Sequence, residues 1–215
     1  MDETILKNID TFFTQYYHQT YKKGEILIRV DESPLGVYYL KEGYVKQYAI
    51  SKKGEEVVIN IFKPIAFFPM SWAINHTPNA YFYEAMTDLS LWRAPRDAVI
   101  TFIKSNPDVL YGLVSRVYKG VDGVFMRMVH LMSGSGYSRL LLELIIQSKR
   151  FGTQSKGAVE ITISEKDLAA QSGMTSETIS RAMRILKDKH LLTYRKSVLR
   201  IPDFKKLEKE LAEAL

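Results

Sequence analysis

The hydrophobic period of this chain changes near Pro95, and a fold built from one kind of element does not accommodate that change. Between about residue 20 and residue 95 the segments "EILIRV", "GVYYLKEGYVKQYAI" and "EEVVINIF" are rich in β-branched and aromatic residues. Such side chains suit a pleated, half-buried surface. Gly24, Gly36, Gly43 and Gly54 punctuate them as turn residues, and "SKKGEE", Ser51 to Glu56, has the composition of a hairpin tip. "AYFYEAM" and "LSLWRAP" add a further strand pair. Short strands at this spacing predict a sandwich, barrel or roll.

Beyond Pro95 the period becomes helical. "RDAVITFIKSN" predicts a short helix stopped by Asn106 and Pro107. From Asp108 to about Met132, the residues Leu110, Leu113, Val117, Val121, Val124, Met128 and Leu131 recur at steps of three and four. That is the seam spacing of a coiled coil, so the segment is either a dimerisation helix or a helix packed on its own domain. Gly112, Gly120 and Gly123 each cost such a helix about 1 kcal/mol relative to Ala, which points to close helix approach or to a helix built to shift. "SGSG", Ser133 to Gly136, then breaks the pattern. Three parts are expected: residues 1–106, 107–133 and 134–215.

The net charge of +6 is unevenly spread. Residues 134–215 hold 15 Lys and Arg against 10 Asp and Glu, whereas residues 1–133 hold 15 against 14. A local basic surplus suits a polyanion, because Lys and Arg displace counterions condensed on phosphates. No uncharged apolar run approaches the ~18–20 residues of a membrane helix. The start, "MDETILKNID", lacks the basic and apolar regions of a signal peptide, so a cytoplasmic protein without membrane contact is expected. The absence of cysteine excludes a disulfide framework, a thiol sensor, a Cys-ligated iron–sulfur cluster and a cysteine zinc site. His18, His76, His130 and His190 show no metal-ligand spacing, and no phosphate loop or nucleophile motif occurs. An enzyme is therefore not expected, and no cofactor is assigned.

The last third organises around one helix. "YSRLLLELIIQSKRFG" reads as an apolar helix, "TQSKGA" as a loop and "VEITI" as a strand. Ser164 with Asp167 forms a variant capping box that opens a helix to about Gln171, and "SGM" turns the chain with Gly173 at its corner. Thr175 is a fitting N-cap for a second helix, residues 175–188. Ile179, Ala182, Met183 and Leu186 make its apolar stripe, and Ser176, Glu177, Ser180 and Arg181 share the opposite face. "LLTYRKSVLRI" reads as a hairpin with a basic tip, a wing. In a winged helix-turn-helix the second helix enters the major groove of double-stranded DNA. There an Arg can donate to guanine O6 and N7, and a Glu can accept from cytosine N4.

"ITISEKDLAAQSGMTSETISRAMRILKDKHLL" resembles the DNA-binding signature of the CRP/FNR family of bacterial regulators. The order of "KKGEILI", "GVYYLKEGYVK", the long helix and the winged part is similar as well. The resemblance implies an α+β chain with an N-terminal double-stranded β-roll, a long dimerisation helix and a C-terminal winged helix-turn-helix. It implies a homodimeric transcriptional regulator, with RNA polymerase as a further partner. In that family an E-x-x-S-R helix reads a TTGA-type half-site, which assigns Glu177, Ser180 and Arg181 to base reading. Ser176 is counted with them as a base-reading position, but it stands where the cyclic-AMP receptor has Arg, so an extra guanine contact is not carried over. Ser164, Lys166, Thr175 and Thr178 match the family's phosphate-contacting positions.

Cyclic-nucleotide members carry a Gly-Glu pair and an Arg followed by Ser or Thr in the roll. The corresponding segment here, Lys63 to Met86, has no Gly-Glu and no Arg. A buried phosphate would then lack its counter-charge, so cyclic AMP and cyclic GMP are not the expected effectors. The aromatic residues of the segment, Phe68, Trp72, Tyr81 and Tyr83 among them, could wall a pocket for a flat effector or could be roll core. His76 is either a haem ligand or, the preferred reading, an ordinary loop histidine. The effector stays unidentified. A ligand- or partner-binding β-roll protein whose winged part binds DNA without sequence preference is the alternative.

Overall fold

The computed structural model describes residues 2–214. The chain divides into two compact units between Val117 and Tyr118, inside its longest helix. Among the described residues no helix is long and apolar enough to cross a membrane.

The first unit opens with α1 (Glu3–Phe13), capped by the Asp2 carboxylate, which accepts from the Thr4 amide. Eight strands follow: β1 (Tyr17–Tyr21), β2 (Ile26–Ile28), β3 (Val37–Glu42), β4 (Val45–Ile50), β5 (Glu56–Phe62), β6 (Ala66–Phe68), β7 (Phe82–Ala85) and β8 (Leu89–Ala94). They form two antiparallel four-stranded sheets, ordered β1-β8-β3-β6 and β2-β7-β4-β5. Strand alternation divides the apolar residues between two clusters. Tyr38, Leu40, Phe68, Leu89 and Leu91 join Ile28, Val45, Tyr83 and Ala85 of the other sheet in the roll interior. Val37, Tyr39, Phe67 and Ala94 face the opposite way, onto α1, α2 (Met70–Asn75), α3 (Arg96–Ser105) and the start of α4 (Pro107–Ser133). The helix expected over "RDAVITFIKSN" is thus α3, and the longer one is α4.

Polar contacts tie the helices to the sheet. Asp10 of α1 accepts from the Tyr39 hydroxyl at 2.8 Å and from Lys41 Nζ at 2.6 Å. Ile65, between β5 and β6, has φ of +72°, an unfavourable value for a β-branched residue. It is held on both sides: its amide donates to the Leu40 carbonyl at 2.8 Å, and its carbonyl accepts from Arg116 Nη1 of α4 at 2.6 Å. Burial lowers the pKa of that guanidinium.

In the second unit, α5 (Gly136–Phe151) is packed nearly all round, with Leu140, Leu141 and Leu144 wholly inaccessible. Its buried Glu143 accepts from Arg127 of α4 at Nε and Nη2, 3.0 and 3.1 Å, and from Gln147 Nε2 at 2.6 Å. The sheet is β11-β12-β10-β9, from β9 (Thr153–Ser155), β10 (Ala158–Thr162), β11 (Thr193–Arg195) and β12 (Val198–Ile201). "TQSKGA", read as a loop, is half strand: β9 is polar and forms by pairing with β10 across a turn at Lys156 and Gly157. The helices α6 (Glu165–Ser172), α7 (Ser176–Asp188) and α8 (Phe204–Glu213) complete the unit. Sequence reading did not anticipate α8.

Candidate nucleic-acid interface

Local chemistry places α6 and α7. Ser164 Oγ accepts from the Asp167 amide at 3.0 Å and donates to Asp167 Oδ2 at 2.6 Å, and the Ser164 amide donates to the same carboxylate. This is the expected capping box. Gly173 ends α6 with φ of +61°, a left-handed conformation that costs glycine nothing. Two residues later the Thr175 hydroxyl accepts from the Thr178 amide at 3.2 Å and caps α7.

The two faces of α7 are sharply distinct. Ile179, Ala182, Met183 and Leu186 are buried among Leu140, Leu144 and Leu168 of α5 and α6. Ser176, Glu177, Ser180 and Arg181 are all exposed on the opposite face. Arg181 Nη2 and Glu177 Oε1 stand 3.8 Å apart, one turn along the helix, with both side chains more than 70% exposed. So loose an exposed pair contributes little stability. It does hold a five-donor fork beside a carboxylate, both open to solvent.

The expected phosphate-contacting residues differ in what they have left to offer. Lys166 is exposed on the first turn of α6. Thr175 and Thr178 share a hydroxyl–hydroxyl bond of 2.9 Å, so one of the two protons remains free for an external acceptor. The Ser164 proton is directed at Asp167 and would reach a phosphate only by leaving it. The wing turns at Lys196 and Ser197, with φ of +50° and +62°. Arg195, Lys196 and Arg200 are exposed along the hairpin, with Arg200 Nε 3.5 Å from Glu160.

The long helix presents an apolar face to solvent. Leu110, Val117, Val124, Met128 and Leu131 are all exposed, whereas Leu113 packs against the core shared by α1, α3 and the first sheet. Val121 is half-buried. A Cβ built on Gly120 or Gly123 would meet nothing within 4 Å, so no close approach among the described residues accounts for either glycine.

The aromatic candidates of the roll are not gathered into one wall. Phe68 and Tyr83 stack at 5.4 Å in the interior, with Phe62 stacked on both and Tyr38 on Phe68. Tyr81 packs against the same cluster, while Trp72 packs against the other, beside α1 and α3. Burial raises the pKa of the Tyr83 hydroxyl, which accepts from Gln47 Nε2 at 3.0 Å. His76 caps α2, and its Nε2 lies 2.7 Å from Arg96 Nη2. Asn79, buried in the same segment, binds the Arg29 and Tyr81 carbonyls through its amide nitrogen.

Comparison with known proteins agrees with this architecture. The family model described as the cyclic nucleotide-binding domain matches residues 18–106, and that of the Crp-like helix-turn-helix domain matches residues 138–210. The global nitrogen regulator of Nostoc sp. PCC 7120 is 24% identical over 191 residues, covering 85% of this chain and 84% of that protein. The transcriptional regulator SdrP of Thermus thermophilus is 25% identical over 178 residues, covering 82% and 84%. A crystal structure of a CRP/FNR-family regulator from Thermus thermophilus superposes with a TM-score of 0.75 at 23% identity, over 92% of this chain and 98% of that one. Roll, long helix and winged helix-turn-helix occur together here in the order those matches require, and the chain is a member of the CRP/FNR family of transcriptional regulators.

Proposed function

We propose that the chain works as a homodimer that reads a TTGA…TCAA palindrome with α7 of each copy. The observation that carries this reading is the exposure of Glu177, Ser180 and Arg181 together on the first turns of α7, over a fully buried opposite face. Arg181 donates to guanine and Glu177 accepts from cytosine, with Ser180 between them and Ser176 adding no guanine contact. Lys166, Thr175 and Thr178 hold the phosphates, as does Ser164 once its proton leaves Asp167. The apolar face of α4, through Val117, Val124, Met128 and Leu131, joins the copies. Two such helices on a two-fold axis reach half-sites about 34 Å apart.

In this scheme residues 1–106 receive a signal, 107–133 dimerise and 134–215 bind DNA in the cytoplasm, where RNA polymerase is the further partner. The signal is not a cyclic nucleotide, because the segment Lys63 to Met86 offers no arginine to a buried phosphate. Any effector met by Phe68 and Tyr83 would have to displace two rings that are already buried and stacked, with Tyr81 partly buried against them. The signal acts by shifting the population of DNA-competent dimers.

The test is a titration of purified protein into a TTGA…TCAA duplex and a scrambled duplex of the same composition. Arg181→Ala should lose about 1–3 kcal/mol of preference for the first duplex, roughly 5- to 150-fold, with dimerisation unchanged. Equal affinity of the unsubstituted protein for both duplexes would favour the partner-binding alternative.

A further inference from the structure

Both ends of α7 are referenced to the first turn of α5. At the N-terminal end the contact is steric. A Cβ built on Gly136 would stand 2.9 Å from Thr178 Cγ2 and 3.5 Å from Met174 Sδ, so α5 begins directly against the helix-turn-helix corner. Only glycine permits that approach without a shift of Thr178. At the C-terminal end the link runs through α8. The Tyr137 hydroxyl donates to Glu210 Oε1 at 2.7 Å, and Lys189 Nζ donates to the same oxygen. Lys189 is the C-cap of α7, and its ammonium lies 5.4 Å from the centre of the Tyr137 ring.

We propose that Glu210 is a positioning residue for DNA reading, setting the tilt of α7 by holding Lys189 against Tyr137. The proposal rests on the base-reading role of α7. Glu210 is anchored for the task. Leu207, one turn before it, is wholly buried, and Glu208 pairs with Lys149 of α5 at 2.7 Å. The two donors also hold the Glu210 carboxyl below its ordinary pKa, so it is ionised near neutrality. A surface ion pair of this kind adds little to stability. Its weight is geometric, because base contacts demand placement to within about 0.5 Å and 10–20°. With Gly136 and Thr178 fixed as a pivot, a released Lys189 lets α7 swing, and Arg181 and Glu177 swing with it.

Charge and geometry predict opposite signs here, which makes the idea testable. Glu210→Gln removes a negative charge from a DNA-binding unit, so electrostatics alone would tighten every DNA complex. Positioning instead predicts weaker binding to the TTGA…TCAA duplex. Unsubstituted protein, Glu210→Gln, Tyr137→Phe and the double variant would be titrated into that duplex and a scrambled one at fixed salt, with thermal melts alongside. The expected result is a loss of about tenfold in the ratio of the two affinities for Glu210→Gln, the size of one lost base contact. A smaller loss is expected for Tyr137→Phe, which removes one of the two contacts of Glu210, with no further loss in the double variant, since Tyr137 acts only through Glu210. Should Glu210→Gln fail to fold, Tyr137→Phe, which removes a single hydroxyl, carries the test. An unchanged ratio in the variants beside a selective unsubstituted protein overturns the positioning role and leaves base reading intact. An unsubstituted protein that prefers neither duplex overturns both.

Discussion

The roll and the winged unit treat their distinctive side chains in opposite ways. In the winged unit the residues with chemistry to offer stand outside the packing: Glu177 and Arg181 project from α7 while Ile179, Met183 and Leu186 hold it in place. Substituting the first pair should alter recognition and spare the fold. In the roll the distinctive residues are the packing. Phe68 is wholly inaccessible and lies within stacking distance of Tyr38, Phe62 and Tyr83. A surface that meets DNA must be present before DNA arrives, whereas a stacked interior answers first to the stability of its own sheets.

The sharpest way to break that contrast is Phe68→Ala. As core, Phe68 should cost about 3–5 kcal/mol when truncated, read as a lower urea midpoint for the first unit. A cost below about 1 kcal/mol, coupled with altered DNA binding, would make it a pocket wall instead.

A smaller effect is expected from His130, which breaks the pattern from the winged side as a polar residue inside. It is wholly inaccessible, and neither ring nitrogen has a hydrogen-bond partner among the described residues. Burial lowers its pKa from the ordinary 6.5. The unfolded chain therefore takes up the proton more readily, so this contribution to stability is complete above pH 6.5 and is lost as the pH falls below it. His130→Leu should flatten the dependence between pH 7 and pH 5.5, measured by urea unfolding at each pH. An equally steep fall in the variant would assign the effect to other groups.

Lys166→Ala addresses the outer surface. It should weaken binding to specific and scrambled duplexes alike and reduce the slope of log affinity against log salt by about 1. A change confined to one duplex would make Lys166 a base reader. The smallest expected effect belongs to the wing, where neither turn residue is glycine although both have positive φ. Ser197→Gly should raise stability by about 0.5–1 kcal/mol, seen as a modest rise in melting temperature.

The same contrast explains what sequence disclosed. The cap at Thr175, the glycine corner at Gly173, the stripe through Leu186 and the basic hairpin are local signals, and each fell where its own chemistry directs. Strand β9 escaped because "TQS" is short and has no apolar residue to mark a buried face; pairing with β10 makes it. Helix α8 did carry a signal, Asp203 as N-cap ahead of Phe204, Leu207 and Leu211, but its role depends on Tyr137 and Lys189, distant in sequence. Trp72 shared a segment with Phe68 and Tyr83, yet it falls on helix α2, which packs with the other cluster. Whether an aromatic residue walls a pocket or fills a core is not written in its spacing, because both uses want the same residue at the same inward position.

The most direct test of the account is selection of bound duplexes from a random DNA pool by purified full-length protein. A TTGA…TCAA palindrome with its half-sites one helical turn apart is the predicted product, and Arg181→Ala should erase it. Uniform, strongly salt-dependent binding with no enriched sequence would contradict the account and leave the winged unit a basic surface only.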